Sequence, residues 1–431
     1  MTTPLTYKVL SDAISDGSAA FRLRAELEAV SPKVFPPTYE GGKYATETRR
    51  IDGKDVPCVL LDSVASQANR MELALQDAWE GKEIDLPVVS SDFSEVKNPA
   101  VVKVTSLQAP HRIADAILRD SYLPNKKGDK RVLFRRTEIG QELDQLSNAN
   151  ATPLLKYAPH CLVLGMWDST GPRGGLGVKF ARAMVSEIVG VNVIPGVTTG
   201  SRLDPLSIQK LVDKEDVNGV AIYQAKDGGW TLAKESAVQN KEKKPVLYGK
   251  KGKPSEINHG NVTPDIVYRR DKNRNLVLDD HKLPIPIGGF TIDYAEQTTV
   301  LSLPALRRLR FPAKPGDERN NATDLAARTY LAALALLGAT LALDSGYDLR
   351  SRCVLRATKA LNWELLGVPG AEAKLFTLSR KEAIDLYAAA LAGVLKTIPI
   401  HLEEVKLIAS DDLVTLVKES MKLAASETEA P

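Results

Sequence analysis

Two solid apolar runs stand out along the chain. Cys58-Val-Leu-Leu-Asp62 and His160-Cys-Leu-Val-Leu-Gly-Met-Trp167 each have the length and density of a buried strand. Residues 63–77, after the first run, are good helix formers with a serine or aspartate available as the N-cap, so a strand runs straight into a helix. After the second run, residues 168–177 form a glycine-rich turn and 178–189 read as a helix. Farther on, 290–303 alternates as a strand, 322–343 predicts a long apolar helix and 348–356 another strand. Between these pieces the pattern weakens. Residues 32–57 are broken by Pro32, Pro36, Pro37, Gly41, Gly42, Gly53 and Pro57, and 81–159 is mixed, with a strand-like 100–104, a helix near 110–119 and a basic loop at 126–136. Residues 191–287 are rich in glycine, proline and lysine and predict hairpins and long loops. The C-terminal stretch predicts two amphipathic helices centred near Leu386 and Leu413, and there is no internal repeat. This order suits an α+β sheet with helices on one face, of the ferredoxin or RRM type, better than a doubly wound parallel sheet.

At 431 residues the chain has room for two to four domain-sized units, or one with large insertions. Its 43% hydrophobic and 26% charged residues exclude disorder, collagen and fibre. The apolar run 330–343 is shorter than the roughly 20 residues of a membrane span and reads as a buried helix. Acidic residues stand near the N-terminus where a signal peptide would be basic, so a cytoplasmic protein without a membrane partner is expected. Cys58, Cys161 and Cys353 lie too far apart for a disulfide framework or a C-x-x-C metal site and predict reduced, mostly buried thiols.

Fifty-seven basic residues against 54 acidic ones leave a charge of +3, too even to name a polyanionic partner. The distribution is less even. Residues 119–136 hold seven basic residues against Asp120 and Asp129, residues 241–253 hold six against Glu242, and 401–431 hold seven acids against three lysines. Basic loops on a near-neutral body suit local contact with a polyanion, or simply solvated loops with an acidic tail.

Two segments carry candidate chemistry. In Asp168-Ser-Thr-Gly-Pro-Arg-Gly-Gly-Leu-Gly-Val-Lys179 a glycine-rich turn feeding a helix would expose backbone N–H groups to phosphate, with Arg173 and Lys179 adding charge. It is neither a Walker loop nor G-x-G-x-x-G, and a plain tight turn is the alternative. In Ser63-Val-Ala-Ser-Gln-Ala-Asn-Arg70, steps of three and four residues bring Ser63, Ser66, Gln67 and Arg70 to one helix face, a set that suits phosphate and sugar contacts better than acid–base work. Ser63 serves equally as a plain N-cap, and Arg70 has Asp62 and Glu72 as possible ion-pair partners. The five histidines never fall at metal spacing, no G-x-S-x-G elbow occurs, and no run alternates basic and aromatic residues. No cofactor, metal site or catalytic residue is expected, and RNA binding would lean on the backbone and not on base stacking.

The strings Leu60-Leu-Asp-Ser-Val-Ala-Ser-Gln-Ala-Asn-Arg-Met-Glu72, Ala109-Pro-His-Arg-Ile-Ala-Asp115, Gly165-Met-Trp-Asp-Ser-Thr170 and Gly174-Gly-Leu-Gly-Val-Lys-Phe-Ala-Arg-Ala183 resemble the CRISPR-associated backbone subunit of type I-G (formerly I-U) Cascade, the Cas-seven family of the RAMP superfamily. Ser201-Arg-Leu-Asp-Pro-Leu206, Pro254-Ser-Glu-Ile-Asn-His-Gly-Asn261, Val300-Leu-Ser-Leu-Pro-Ala-Leu-Arg-Arg-Leu309 and Tyr347-Asp-Leu-Arg-Ser-Arg-Cys353 continue the likeness, in order, to about residue 360. The resemblance implies an RRM/ferredoxin-like palm (1–80, 160–196 and 289–370), a finger-like insertion (81–159), a thumb insertion (197–288) and a helical C-terminal segment with an acidic tail (371–431). It implies a non-catalytic subunit that binds CRISPR RNA, stacks on other copies of itself and presents the guide for pairing with target DNA. Other Cascade subunits (a large subunit and a fused guide-end-binding and processing subunit) and a recruited helicase-nuclease are the further partners. Ser66, Gln67, Asn69, Arg70, Arg173, Lys179 and Arg202 are the RNA-binding residues this likeness implies. The alternatives are a metal-dependent RNA-cleaving relative acting through Asp168 or Asp204, and a phosphate-binding metabolic enzyme.

Overall fold

The Ala20–Ala29 strand alternates so strictly that Phe21, Leu23, Ala25 and Leu27 point into the core while Arg22, Arg24, Glu26 and Glu28 face away. In the computed structural model, which describes residues 2–97, 102–124, 131–169, 177–206, 221–249, 252, 254–257, 262–271, 273 and 275–429, this strand lies at the centre of the main sheet. Its neighbours are Trp363–Leu366 on one side and Tyr294–Ser302 on the other, followed by Met184–Val191, Lys54–Asp62 and Thr46–Ile51. Adjacent strands in this series are antiparallel. Taking Ala20–Ala29, Met184–Val191, Tyr294–Ser302 and Trp363–Leu366 as first to fourth, the spatial order is fourth, first, third, second. The Val64–Glu80 helix falls between the first and second in sequence, and the Asn321–Asp344 helix between the third and fourth. The protein is therefore α+β with the ferredoxin-like connectivity, widened by the hairpin of Thr46–Ile51 and Lys54–Asp62.

Both helices lie over one face of this sheet. The Asn321–Asp344 helix starts where the Asn320 side chain accepts from the N–H groups of Ala322 and Thr323, and it is apolar nearly all round. It is long and apolar enough to cross a membrane, but 83% of its most apolar window is buried inside the protein. It packs on Val64–Glu80 on one side and Arg380–Val394 on another, where the Tyr330 and Tyr387 hydroxyls meet at 3.2 Å. Each fully buried Leu or Phe here contributes about 1.5–3 kcal/mol relative to an exposed one. The approach of the first pair of helices is set by a missing side chain: a Cβ on Gly338 would lie 3.2 Å from Leu75 Cδ1.

Several predicted elements change identity. Residues 160–167 are not one strand but a helix, His160–Leu164, then a short strand, Met166–Asp168. Burial on all sides erases the period that would tell the two apart. Residues 178–189 are not helical. Val178–Phe180 pairs with Met166–Asp168, and Met184–Val191 joins the main sheet, as its β-branched, alternating side chains favour. The C-terminal residues also take part in the first unit: Lys374–Thr377 lengthens the main sheet, and Val405–Ala409 inserts between Ser121–Leu123 and Val89–Asp92 in a second sheet. Cys58, Cys161 and Cys353 are free and buried.

Chain contacts divide the molecule into two compact units, the first comprising Met1–Tyr39, Tyr44–Ile194 and Phe290–Thr415. The second comprises Glu40–Lys43, Pro195–Gly289 and the residues from Leu416 on. Within the second, Thr199–Arg202 pairs with Val262–Ile266 and Tyr223–Gln224 with Trp230–Thr231, both antiparallel. Asn240 Oδ1 accepts from the N–H groups of Glu242 and Lys244, turning the chain inside the basic strip. Lys250, Lys251 and Lys253 of that strip lie outside the described residues.

Replacing Gly338 by leucine should overpack the helix pair and cost about 1–3 kcal/mol. The check is a drop of several degrees in the thermal midpoint, with an unchanged midpoint showing that the helices do not need this gap.

Candidate functional site

The Lys54–Asp62 strand ends on a carboxylate, and the chain turns at once into the Val64–Glu80 helix. Ser63 caps that helix, its Oγ accepting from the Ser66 N–H at 3.2 Å. Asp62 thus sits beneath the first two turns, where Ser66 Oγ donates to Oδ1 at 2.8 Å, Gln67 Nε2 to Oδ2 at 2.6 Å and Arg70 Nε to Oδ2 at 2.9 Å. A fourth donor, Arg350 Nη2, reaches Oδ1 at 3.1 Å from the Tyr347–Arg350 strand. The carboxylate has no exposed surface, and its four lone-pair sites meet four side-chain donors.

The helical spacing does bring Ser66, Gln67 and Arg70 together, but around Asp62. Gln67 is buried, and its Oε1 accepts from Ser186 Oγ and Gln297 Nε2, both at 2.9 Å. The amide thereby ties the helix to two sheet strands. Arg70 and Arg350 differ from it in keeping 32% and 26% of their side-chain surface exposed. Arg70 Nη2 donates to the Leu349 carbonyl at 2.7 Å, and its Nη1 makes no hydrogen bond among the described residues. Two guanidiniums on one carboxylate leave a surplus of positive charge, held rigidly and partly open to solvent, an arrangement suited to phosphate oxygens. Asn69 is exposed on the same helix. Arg350 stands in a motif already visible in the sequence, yet no local spacing links it to Asp62.

The remaining expected residues are scattered. Lys179 is exposed on the Val178–Phe180 strand, Arg202 ends the Thr199–Arg202 strand of the second unit, and Arg173 lies outside the described residues. Residues 178–180, expected to open a helix after the glycine-rich segment, are instead a strand paired with Met166–Asp168, and residues 170–176 lie outside the described residues. Asp168 accepts from Arg135 Nη2 at 3.0 Å, and Asp204 Oδ1 accepts from the Leu206 N–H. Among the described residues no three His, Cys, Asp or Glu side chains gather as metal ligands would.

A second buried charge lies farther along the helix. Glu72 accepts from Arg112 Nε and Nη2 at 2.6 and 2.9 Å, and burial raises its pKa against the pull of Arg112. Arg112 holds a left-handed φ of 55°. His160 Nε2 lies 3.1 Å from the Ser106 carbonyl and 4.0 Å from Glu72, and its Nδ1 is buried without a partner among the described residues. Burial and the nearby Arg112 hold its pKa down to about 3.

Asp62→Ala should strand two guanidiniums and an amide and cost about 3–5 kcal/mol in denaturant unfolding. Ser66→Ala, which removes one donor, should cost about 1 kcal/mol. His160 makes stability pH-dependent: the unfolded chain takes up this proton near pH 6.5 and the folded one only near 3. Its contribution is intact above 6.5 and falls by about 1.4 kcal/mol per pH unit as the pH drops toward 3. Glu72, which faces it, works in the opposite sense. Unfolding midpoints of wild type and His160→Gln across pH 7 to 4 should therefore converge as the pH falls, and parallel curves would contradict this.

Residues 21–195 match the family model described as CRISPR-associated protein GSU0053. The span takes in the central strand, Asp62 with its helical donors, and the hairpin bearing Trp167 and Lys179, while Arg350 lies beyond it. No curated protein matches the chain. The match supports a CRISPR-associated protein with a role in CRISPR defence.

Proposed function

We propose that this chain is a non-catalytic, guide-binding backbone subunit of a type I-G Cascade effector. In this reading copies of the chain stack along one CRISPR RNA in the cytoplasm and hold it for pairing with target DNA. The observation that carries the proposal is the pair of partly exposed arginines, Arg70 and Arg350, locked on the buried Asp62 beside a helix within the CRISPR-associated match. Phosphates carry no sequence information, so a subunit that must accept any guide is suited to fixed cations on the backbone. Asn69 and Lys179 supply further exposed donors, and Arg202 and Arg173 are assigned to the same role. Gln67 and Ser66 act from behind, by orienting Asp62 and through it Arg70. Modest contacts repeated in each stacked copy sum to high avidity, so a net charge of +3 is no obstacle. The other Cascade subunits and the recruited helicase-nuclease would meet the assembled filament.

The test is gel filtration of purified protein, with ultraviolet absorbance, before and after ribonuclease. Large RNA-containing particles that collapse on digestion are expected, and an RNA-free monomer that ignores added guide would overturn the proposal. Arg70→Ala should weaken assembly by about 1 kcal/mol per subunit, and Arg70→Lys by less. A variant that melts several degrees lower yet assembles normally would reduce Arg70 to a brace.

A further inference from the structure

The hairpin of Met166–Asp168 and Val178–Phe180 places Trp167 directly opposite Lys179, so the two side chains share one face. Trp167 is 60% exposed, which for an indole is a large apolar area left in water. Beside it opens a cavity of about 250 Å³ lined by Trp167, Lys179, Arg182, Gly165, His111 and Arg112, among others. Gly165, with φ 88°, makes the entry to the hairpin possible: a Cβ there would lie 2.9 Å from Arg182 Cγ and 3.2 Å from the Phe180 carbonyl.

The charge in this cavity is unbalanced. Arg112 is spent on Glu72, whereas neither Lys179 nor Arg182 has an ion-pair partner among the described residues. Asp168, one residue from Trp167, is paired with Arg135. Partial burial and the proximity of Arg112 lower the Arg182 pKa against the pull of Glu72, which Arg112 already neutralises.

We propose that Trp167, Lys179 and Arg182 form a nucleotide pocket that takes one unstacked base of a single-stranded RNA. The indole stacks on the base, and the two cations take the phosphates on either side. The site rests on the guide-binding reading and adds to it a contact that the sparse aromatic content of the chain argued against. Stacking is indifferent to base identity, since every base offers a π-face, so the pocket is compatible with guides of any sequence.

The experiment uses the full chain and a labelled oligoadenylate, with the same backbone carrying abasic sites as comparison. Trp167→Ala should weaken binding to oligoadenylate roughly five- to fifty-fold while leaving the salt dependence unchanged. Trp167→Phe should restore part of the loss, and the abasic strand should not distinguish the variants. Lys179→Ala with Arg182→Ala should instead flatten the salt dependence by about one to two counterions. Because Trp167 is exposed, the thermal midpoint of its alanine variant should match wild type. Equal binding of oligoadenylate by wild type and Trp167→Ala would overturn the pocket and leave the guide-binding reading standing. Failure of the wild type to bind either strand would overturn both.

Discussion

Asp62 has no contact with water, and a bare carboxylate cannot stay in such a place. Its burial is compensated only if every lone pair finds a donor, and the donors come from two separate parts of the chain: Ser66, Gln67 and Arg70 from the helix, Arg350 from a strand almost 300 positions later. The start of the helix is thereby pinned to the sheet at a defined depth and rotation. The network does not end there. Gln67 continues to Ser186 and Gln297, Ser186 to Thr299, and Tyr347 donates to Gln297. One buried charge thus organises polar side chains from three strands of an otherwise apolar interface, and it orients the two arginines whose outer surfaces remain available.

The same accounting explains why a near-neutral protein has local positive sites. On the face of the main sheet away from the helices, charges cancel in place: Arg22 pairs with Glu364 at 2.7 Å and Arg49 with Glu187 at 2.8 Å. Such partly exposed pairs contribute little to stability, but each cancels its own charge locally. Surplus arises where an acid is outnumbered, at Asp62 with its two arginines, at Asp324 with Arg310, Arg319 and Arg328, and where Lys179 and Arg182 stand without an ion pair among the described residues. Glu72, matched one to one by Arg112, gives no such surplus and reads as a brace between the helix and the segment that carries residues 105–115. Total charge is a poor guide to these differences because screening confines each site to roughly a Debye length.

The local elements can be read from the residues alone. The long apolar helix, the alternating strand before it and the Ser63-capped helix were legible because propensity, capping and hydrophobic period act over a few residues. The clustering of Ser66, Gln67 and Arg70 was legible too, from helical spacing. The central strand was less visible although Ala20–Ala29 alternates, because its Ala, Leu, Arg and Glu are strong helix formers and oppose the strand period. The 160–167 segment was misread because burial on all sides hides its period. Long-range packing settles the rest: Gln67 turns inward, Arg350 meets Asp62, and Trp167 stands across from Lys179 with Arg182 lining the same cavity. Those outcomes depend on which distant groups share a buried volume, and a carboxylate or indole carries no local record of the partner that folding will bring to it.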